Sequence, residues 1–276
     1  MEVFCLKVGI VGTGNMGSKY IKKFEILGLD AVLIDLDSKK LAEHPDKFSK
    51  YTDIDEAVKK EDISHLFIAT DPRSHIPLAK KALERGINVM VEKPPSIDPS
   101  ELEEAVDFAE KKGAVLSVSE IELRANTVRN LRIDTEVIDI KAYRLNLGRG
   151  YINPFYDLAW HDLYIMSYLF GNFTIKKVKD KGDIFEVEGE TKKNSFFLQV
   201  AWSHKFLKRQ WFLKTEKGNI TLDFAEDKII YPDGKIKEKD SVDKLELMIK
   251  QFLKEPSFES SYRAINILKE FSKFTV

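Results

Sequence analysis

The chain has 276 residues, of which 43% are hydrophobic and 11% aromatic, and its formal net charge at pH 7 is -1. This length and composition are typical of a globular protein with one large or two ordinary domains, and they exclude the disordered and fibrous classes. A nearly balanced charge gives no general attraction to nucleic acid or to a membrane surface, which favours a small-molecule partner.

The first 120 residues alternate between apolar strands and amphipathic helices. A short strand, "LKVGIVG", is followed by a segment with helical spacing of apolar residues, "NMGSKYIKKFEILG", and then by a second strand, "DAVLID". The alternation continues with helices in "DIDEAVKKE", "IPLAKKALERG" and "PSELEEAVDFAEKKG" and with strands in "ISHLFIAT", "INVMV" and "AVLSVS". This order predicts an α/β domain over residues 1–120, a doubly wound parallel sheet of the Rossmann type with helices on both faces.

The start of the chain bears on its location. Cys5 is the only cysteine, which excludes an intrachain disulfide framework, and it lies in what we interpret as the first buried strand, where a reduced thiol is expected. The apolar segment at the start is broken by Lys7 and continues into a glycine motif, unlike a signal peptide, and no apolar run approaches the ~20 residues of a membrane span. We therefore expect a cytoplasmic protein.

From residue 121 onward the pattern changes to strands without helices between them. Helices are predicted at 127–132 and 157–169, on either side of "EVIDIKAYRLNL", and strands follow in "SFFLQVAWSH", "KRQWFLKTEKGNITLDF" and "KIIYPDGKI". Two helical segments, "SVDKLELMIKQFLKE" and "SYRAINILKEFSKF", complete the chain. This order predicts an α+β domain over residues 121–276 built on a mainly antiparallel or mixed sheet, and we expect this domain to serve substrate binding and oligomerisation.

One of these strands has apolar residues on both faces. In "NSFFLQVAW", Phe196 and Leu198 lie on one face and Phe197 on the other, and Trp211 and Phe212 on the next strand also point opposite ways. One face would pack on the domain's own helices, so we expect the other to meet a second subunit or a substrate. The expected assembly is a homodimer or homotetramer. The alternative is isolated exposed aromatic side chains that need no partner.

A glycine motif connects the first strand to the first helix. "GIVGTGNMG" places Gly12, Gly14 and Gly17 in GxGxxG spacing. Gly12 permits a tight turn, Gly14 lets the backbone approach a pyrophosphate, and Gly17 lets the helix pack closely on the strand. The helix N-terminus, with Asn15 and Met16, presents N–H donors and a partial positive charge to that phosphate. The motif in this context predicts a dinucleotide-binding site.

The end of the second strand indicates which dinucleotide. Asp35 stands there, where a carboxylate accepts hydrogen bonds from the adenosine ribose hydroxyls and repels a 2′-phosphate. This favours NAD over NADP. Lys39 and Lys40 are close enough in sequence to Asp35 to bind the 2′-phosphate of NADP instead. Alternatively, these two lysines lie in solvent at the start of a helix.

Polar residues follow two further strands of the first domain. Ligands of a doubly wound sheet bind beyond the carboxyl ends of its strands, so Thr70, Glu92 and Lys93 are expected to line the cofactor crevice. In "NVMVEKPPSID" the Glu-Lys pair ends an apolar strand, where ionised groups cost free energy unless they are paired, hydrated or used. Pro94 and Pro95 then end the strand and fix its exit path. The alternative is a solvated Glu-Lys pair.

A second constellation lies in "NPFYDLAWHDLYIMSYLFG". Asp157 and His161 are spaced i, i+4 on one face of a predicted helix, whereas Asp162 projects about 100° away. A carboxylate one turn before an imidazole can orient it, and a histidine that takes a proton suits alcohol oxidation by a nicotinamide. The alternative is a capping Asp and a core His. No group has metal-ligand spacing, and no metal is expected. The remaining histidines are expected to be structural or at the surface: His44, His65, His75 and His204.

Taken together, these motifs resemble the Gfo/Idh/MocA family, the relatives of glucose-fructose oxidoreductase and inositol dehydrogenase. The glycine motif, "FIATDPRSHIPLAKKALERGINVMVEKPPS" and "DLAWHDLYIMSYLFG" occur in the family order. The resemblance implies a nicotinamide-binding domain followed by an open-sheet domain, and reversible oxidation of a secondary alcohol on a sugar, sugar nucleotide or cyclitol. Lys93 matches the family's catalytic lysine, and Asp157 and His161 match its other two active-site positions. We expect His161 to be the general base, Asp157 to orient its ring, and Lys93 to stabilise the alkoxide or relay its proton.

The sequence also departs from the family pattern. The glycines that often precede the aspartate are replaced by residues 153–156, "NPFY", and the Pro-Asn that usually follows Thr70 is replaced by Asp71 and Pro72. The second domain is short for the family, so the substrate is left open. The alternative function is a non-catalytic dinucleotide-binding regulatory or scaffold protein of the same fold. The presence of the three catalytic residue types favours a dehydrogenase.

Overall fold

The computed structural model describes residues 6–148, 150 and 152–274. They form two compact units: the first comprises the chain up to Ser119 together with Leu245–Ile265, and the second comprises Glu120–Lys244 together with the residues from Asn266 onward. Cys5 lies outside the described residues. No helix within these ranges has an apolar stretch long enough to cross a lipid bilayer.

The first unit is built on a six-stranded parallel sheet. Its strands and helices alternate strictly along the chain, and the strand order is β3-β2-β1-β4-β5-β6. The elements are β1 Lys7–Val11, α1 Asn15–Leu27, β2 Asp30–Ile34, α2 Ser38–Ala42, β3 Ser49–Tyr51, α3 Ile54–Lys60, β4 Ile63–Ile68, α4 Pro72–Leu83, β5 Asn88–Val91, α5 Pro99–Lys111 and β6 Leu116–Val118. This confirms the predicted Rossmann-type sheet. The chain leaves β1 toward one side of the sheet and later returns to the other side through β4, so the topological switch point lies between β1 and β4.

Local sequence explains the helix starts in this unit. Helix α4 begins at Pro72, four residues earlier than the segment predicted from its apolar spacing, because the Asp71 side chain accepts a hydrogen bond from Arg73 N at 3.0 Å and proline suits the first helical position. Helix α1 buries Tyr20 and Phe24 against Phe67 of β4, with ring centroids 5.1 and 5.3 Å apart. Helix α1 therefore places an apolar stripe on the sheet.

The division at residue 120 expected from the sequence assigned both C-terminal helices to the second domain. In the structure, residues 245–265 cluster with the first unit instead. They include most of α9, Lys244–Lys254, and the first half of α10, Glu259–Phe271. The reason is an apolar contact: the Phe252 ring of α9 lies 5.2 Å from His65 and 5.3 Å from Phe67, both on β4.

The second unit is built on an eight-stranded sheet of order β14-β13-β12-β11-β7-β10-β9-β8. Every neighbouring pair is antiparallel except β7 with β10, which confirms the predicted mainly antiparallel sheet. The elements before α9 are a short 3₁₀ helix Ile121–Arg124, α6 Asn126–Arg129, β7 Val137–Leu147, α7 Pro154–Asp157, α8 Ala159–Phe170, β8 Phe173–Asp180, β9 Ile184–Thr191, β10 Ser195–Ala201, β11 Ser203–Thr215, β12 Gly218–Asp223, β13 Lys228–Ile230 and β14 Ile236–Lys237. Strands β8 and β9 were not predicted, because lysines and glutamates dilute their apolar alternation.

The two faces of this sheet differ as the alternation predicted. Ala142, Leu198 and Trp211 lie on the buried face, where α8 packs. The other face carries the half-buried rings of Tyr143, Phe197 and Phe212, with ring centroids of Tyr143 6.2 Å from Phe197 and 6.0 Å from Phe212. The Lys208 ammonium lies 3.6 Å from the centroid of Tyr143. These four residues are called the aromatic face below.

Candidate active site

The three glycines of the motif differ in their surroundings. Gly12 has φ +88°, and a Cβ there would lie 2.7 Å from the Ala69 carbonyl oxygen, so the turn tolerates only glycine. A Cβ on Gly17 would lie 1.9 Å from the Gly12 carbonyl oxygen, which shows how closely α1 packs on the loop. A Cβ on Gly14 would meet nothing within 4 Å. The geometry at Gly14 therefore suits a backbone that a ligand approaches.

The start of α1 suits an anion. Gly14 is its N-cap, no side chain accepts a hydrogen bond from the first turn, and no acidic residue lies there. The first N–H groups of a helix have no intrahelical acceptor, and the helix dipole adds partial positive charge. Asn15 and Met16 open this first turn, as the sequence predicted. The observed cradle fits the pyrophosphate of a dinucleotide.

Asp35 lies directly after β2, and its carboxylate is tied to the glycine loop. Its Oδ2 accepts hydrogen bonds from Thr13 N at 2.7 Å and Thr13 Oγ1 at 3.0 Å, and its Oδ1 accepts one from Asp37 N at 2.9 Å. Burial alone would raise the pKa of Asp35, but these hydrogen bonds outweigh it and hold the pKa below its usual range. The ionised carboxylate keeps acceptor capacity for a ribose hydroxyl, because it has roughly four lone-pair sites. The role of Thr13 was not predicted.

Glu92 follows β5, and its carboxylate has a partner on α1. Its Oε1 accepts a hydrogen bond from Tyr20 Oη at 2.7 Å, and its Oε2 lies 3.3 Å from Lys93 N. A buried tyrosine of α1 therefore holds the carboxylate that follows β5. This contact joins residues 72 positions apart, and the sequence did not indicate it.

His75 joins the two segments that follow β4 and β5. It is buried, its Nε2 lies 3.1 Å from the Thr70 carbonyl oxygen, and its Nδ1 lies 3.1 Å from the Pro94 carbonyl oxygen. Burial lowers the pKa of His75, against the opposing effect of the two carbonyl groups. His75 therefore has a structural role, bracing Thr70 and the segment that carries Lys93.

The structure brings the predicted cofactor-binding residues of the first unit to one edge of the sheet. The glycine loop, Asp35, Thr70 and the Glu92–Lys93 pair follow β1, β2, β4 and β5, and the strands are parallel, so all of them lie beyond the carboxyl ends. The loops after β1 and β4 are in direct contact, since the Gly12 position adjoins Ala69 and Thr70. This is the crevice at the topological switch point, and its residues fit a dinucleotide.

Asp157 and His161 lie in the second unit, on two short helices instead of the single helix predicted over 157–169. Helix α7 begins at Pro154, capped by Asn153 Oδ1, which accepts a hydrogen bond from Phe155 N at 2.8 Å, and it ends at Asp157. Leu158 separates it from α8, although its backbone stays in the right-handed helical region. His161 N donates to Leu158 O at 3.2 Å, so His161 lies in the first turn of α8.

The imidazole of His161 is held by a tyrosine one turn further along α8. His161 Nδ1 lies 3.1 Å from Tyr164 Oη, and the same oxygen accepts a hydrogen bond from Glu122 N at 3.0 Å. A phenol has one proton, and among the contacts of Tyr164 in the described chain Nδ1 is the only acceptor. Leaving a buried O–H without an acceptor costs about 1–3 kcal/mol. Tyr164 therefore donates to Nδ1, and neutral His161 carries its own proton on Nε2.

The charges around Tyr164 keep it protonated. Burial raises the pKa of Tyr164 well above 10, and the Glu122 carboxylate adds to the effect. Burial alone would also raise the pKa of Glu122, but Arg144 and Lys244 outweigh it and hold the pKa of Glu122 below its usual range. The pair therefore combines a neutral phenol with an ionised carboxylate.

Asp162, which the sequence placed away from the face of Asp157 and His161, lies in a buried ion pair. Its Oδ2 accepts from Arg144 Nε at 2.6 Å, and its Oδ1 accepts from Arg144 Nη2 at 3.3 Å and from Trp211 Nε1 at 2.7 Å. The Arg144 and Asp162 side chains are 3% and 2% exposed. Burial opposes the charge of Arg144, but Asp162 and Glu122 outweigh it and raise the pKa of Arg144. This pair joins α8 to β7 and β11.

Comparisons with known proteins agree with this geometry. Residues 6–120 match a family model, GFO_IDH_MocA, described as "Oxidoreductase family, NAD-binding Rossmann fold". Over 123 residues, 40% of this chain, the sequence is 35% identical to glycosyl hydrolase family 109 protein 4 of Phocaeicola vulgatus. Over 129 residues, 46% of the chain, it is 22% identical to the UDP-N-acetylglucosamine 3-dehydrogenase of Acidithiobacillus ferrooxidans. These matches span 23% and 41% of the two relatives' own lengths.

Solved structures resemble the chain over nearly its whole length. The UDP-N-acetylglucosamine 3-dehydrogenase GnnA of Acidithiobacillus ferrooxidans superposes with a TM-score of 0.85 at 19% identity, covering 96% of this chain and 94% of that one. A 3-ketoreductase of Actinomadura kijaniata, in complex with TDP-benzene and NADP, gives 0.82 at 13% identity, with 96% and 95% coverage. An oxidoreductase of Agrobacterium radiobacter, in complex with NAD+, L-tartaric acid and magnesium, gives 0.82 at 15% identity, with 96% and 94% coverage.

These identities are low enough that the structural likeness shows the fold alone, whereas the family model matches the first part of the chain. The resemblance stated from the sequence motifs is confirmed over residues 6–120. Residues 6–120 of this chain therefore match the Gfo/Idh/MocA family of oxidoreductases.

Proposed function

We propose that this protein is a nicotinamide-dependent dehydrogenase that acts on a secondary alcohol of a sugar, sugar nucleotide or cyclitol and prefers NAD to NADP. The observation that carries the proposal is the contact of His161 Nδ1 with the Tyr164 hydroxyl at 3.1 Å, which orients the imidazole. Relatives and structural neighbours named as a UDP-N-acetylglucosamine 3-dehydrogenase, an inositol 2-dehydrogenase and a 3-ketoreductase support the substrate class.

The proposed roles follow from the residues themselves. A nicotinamide bound by the first unit would supply the hydride acceptor for oxidation and the hydride donor for reduction. In the oxidation, Lys93 takes the hydroxyl proton, and its ammonium stabilises the alkoxide character of the oxygen. His161 donates its Nε2–H to the same oxygen. For Asp157 we propose electrostatic support of the imidazole, as its spacing of one helical turn indicated.

This proposal changes one role expected from the sequence. The i, i+4 spacing favoured His161 as the general base, with Lys93 as alkoxide stabiliser or proton relay. Because Tyr164 donates to Nδ1, the neutral imidazole already carries a proton on Nε2 and acts as a hydrogen-bond donor there. The base is then Lys93.

Turnover is tested with a panel of sugars, cyclitols and sugar nucleotides with NAD and NADP, followed at the nicotinamide absorbance. With the substrate found, Lys93→Met should slow the hydride step by roughly a hundredfold or more, the scale of one preorganised charge-stabilising group, while the affinity for the cofactor is retained. Lys111→Met, which removes an exposed lysine from α5, is the matched control. If Lys93→Met and His161→Ala both keep normal turnover, the assignment is wrong. Binding of NAD without turnover of any compound would favour the scaffold alternative.

The proton arrangement has a test of its own. Tyr164→Phe removes only the hydroxyl, so the Nδ1 position loses its donor and the two neutral tautomers of His161 become closer in free energy. Two-bond ¹H–¹⁵N spectra of the imidazoles, assigned with His161→Gln, should show an unprotonated Nδ1 in the unaltered protein and a shift toward the Nδ1–H form in Tyr164→Phe. A protonated Nδ1 in the neutral unaltered protein would contradict the donor role.

A further inference from the structure

Two arginines face each other on the buried side of the second sheet. Arg209 of β11 pairs directly with Arg144 of β7 in the antiparallel register, and Arg209 shares a face with Trp211, whose indole contacts Asp162 of α8. Like charges directly opposite one another in a sheet are destabilising, because their side chains start only about 4.5–5.5 Å apart. Such a pair is expected only where each guanidinium has a negative partner.

The nearby acidic groups supply only some of these partners. Asp162 pairs with Arg144 at 2.6 Å, and Glu122 pairs with Lys244 at 2.9 Å. Arg124 Nη1 also donates a hydrogen bond to the Glu120 carbonyl oxygen. The side chains of these two residues carry one charge of each sign, so they leave the net charge of the group unchanged. The positive charge left over in this group is that of Arg209.

The Arg209 guanidinium is half-buried and incompletely bonded. Its Nε donates to the Asn146 amide oxygen at 2.9 Å, and its two terminal amino groups have no acceptor among the residues that the structure describes. Burial and the Arg144 charge lower the pKa of Arg209, against the opposing effect of Glu122 and Asp162. A guanidinium presents paired N–H donors in a planar fork that matches a carboxylate or a phosphate.

Arg209 belongs to the same neighbourhood as His161 within the second unit. Asp162, the partner of Arg144, is the residue after His161 on α8. Glu122, whose carboxylate interacts with Arg144 and Arg209, donates its backbone N–H to the tyrosine hydroxyl that holds His161. A substrate placed at His161 could therefore extend a negative group toward Arg209.

We infer that Arg209 is an anion-recognition residue, so that the substrate carries a carboxylate or phosphate group: a uronate, a sugar phosphate or a sugar nucleotide. The inference rests on the proposed function for the sugar part of the molecule. It narrows that proposal by excluding uncharged sugars and cyclitols as preferred substrates.

The experiment is a calorimetric binding series in the presence of NAD. Glucose, glucuronate, glucose 1-phosphate and UDP-glucose are the probes, so that carboxylate, phosphate and pyrophosphate are compared on one sugar. The variants are Arg209→Met, Arg209→Lys and the control Lys214→Met, which removes one positive charge from the same strand on its opposite face. Tryptophan fluorescence confirms that each variant is folded.

At least one anionic probe should bind more tightly than glucose, and Arg209→Met should weaken it by about tenfold or more. Arg209→Lys should restore part of the affinity, because the charge returns without the fork, and Lys214→Met should leave it unchanged. The inference is overturned if no anionic probe binds more tightly than glucose, or if Arg209→Met and Lys214→Met weaken the binding of the anionic probe equally. Because no turnover is measured, anion binding without hydride transfer would overturn the proposed dehydrogenase activity and leave the anion site standing.

Discussion

Replacing Asp162 by alanine should strongly destabilise the second unit. The substitution leaves the Arg144 guanidinium buried without its counter-charge and leaves Trp211 Nε1 without its acceptor. Removing one partner of a buried ion pair costs about 3–5 kcal/mol, and an unsatisfied buried donor costs about 1–3 kcal/mol. The two losses share one carboxylate and do not simply add, so we expect the free energy of unfolding to fall by about 4 kcal/mol.

The chain provides a selective assay for this change. All three tryptophans, Trp160, Trp202 and Trp211, lie in the second unit, so tryptophan fluorescence during urea unfolding follows that unit. Asp134→Ala is the matched control, because it removes the carboxylate of an exposed ion pair. The Asp134 side chain is 79% exposed, and that of its partner Lys217 is 61% exposed. An exposed pair contributes only about 0–1 kcal/mol.

Two further variants test separately how the contact with Trp211 and the ion pair with Arg144 contribute to the stability of the unit. Trp211→Phe removes the indole N–H but also shrinks a fully buried ring, so it should cost more than the about 1 kcal/mol of the lost hydrogen bond, because a cavity is left as well. Replacing both charges, Arg144→Met with Asp162→Leu, should recover much of the stability, because no buried charge is then left unpaired. If Asp162→Ala costs no more than Asp134→Ala, the buried pair does not stabilise the unit and the reasoning is refuted.

Three further predictions concern the cofactor, pH and assembly. NAD should bind more tightly than NADP, and Asp35→Ala should narrow the difference, because it removes the repulsion between a carboxylate and the 2′-phosphate; tighter binding of NADP to the unaltered protein, measured by calorimetry, would contradict this. Burial lowers the pKa of His65 and His75 in the folded protein, so these histidines become protonated at a higher pH in the unfolded chain than in the folded one. The free energy of unfolding should therefore fall as the pH drops below about 6.5, and it should fall less in His75→Asn. We also predict a homo-oligomer joined through the aromatic face, dissociated by Phe197→Asp; sedimentation of the unaltered protein as a monomer at micromolar concentration would count against it.

Much of the first unit followed from local sequence. The GxGxxG spacing after an apolar strand predicted the loop, and the ends of β2, β4 and β5 predicted which polar residues line the cofactor edge. This works because in a parallel sheet the carboxyl ends of all strands lie at one edge, so the position of a residue along its own strand is enough to place it. The alternation in "NSFFLQVAW" likewise predicted the two faces of β10, because side chains alternate strictly along a strand.

The contacts that define the second unit depend on tertiary structure. Tyr164 meets Glu122 across 42 positions, Trp211 meets Asp162 across 49, and Arg209 meets Asn146 across 63. Apolar periodicity reports which face of an element is buried, but it carries no information on which elements are neighbours. The pairing of Arg209 with Arg144 depends on the register between β7 and β11, and a shift of β11 by one residue would turn Arg209 to the aromatic face while Arg144 stayed on the buried face. The sequence by itself therefore determined the nucleotide-binding edge, while the tautomer of His161 and the charge left on Arg209 were decided only when distant strands and helices packed together.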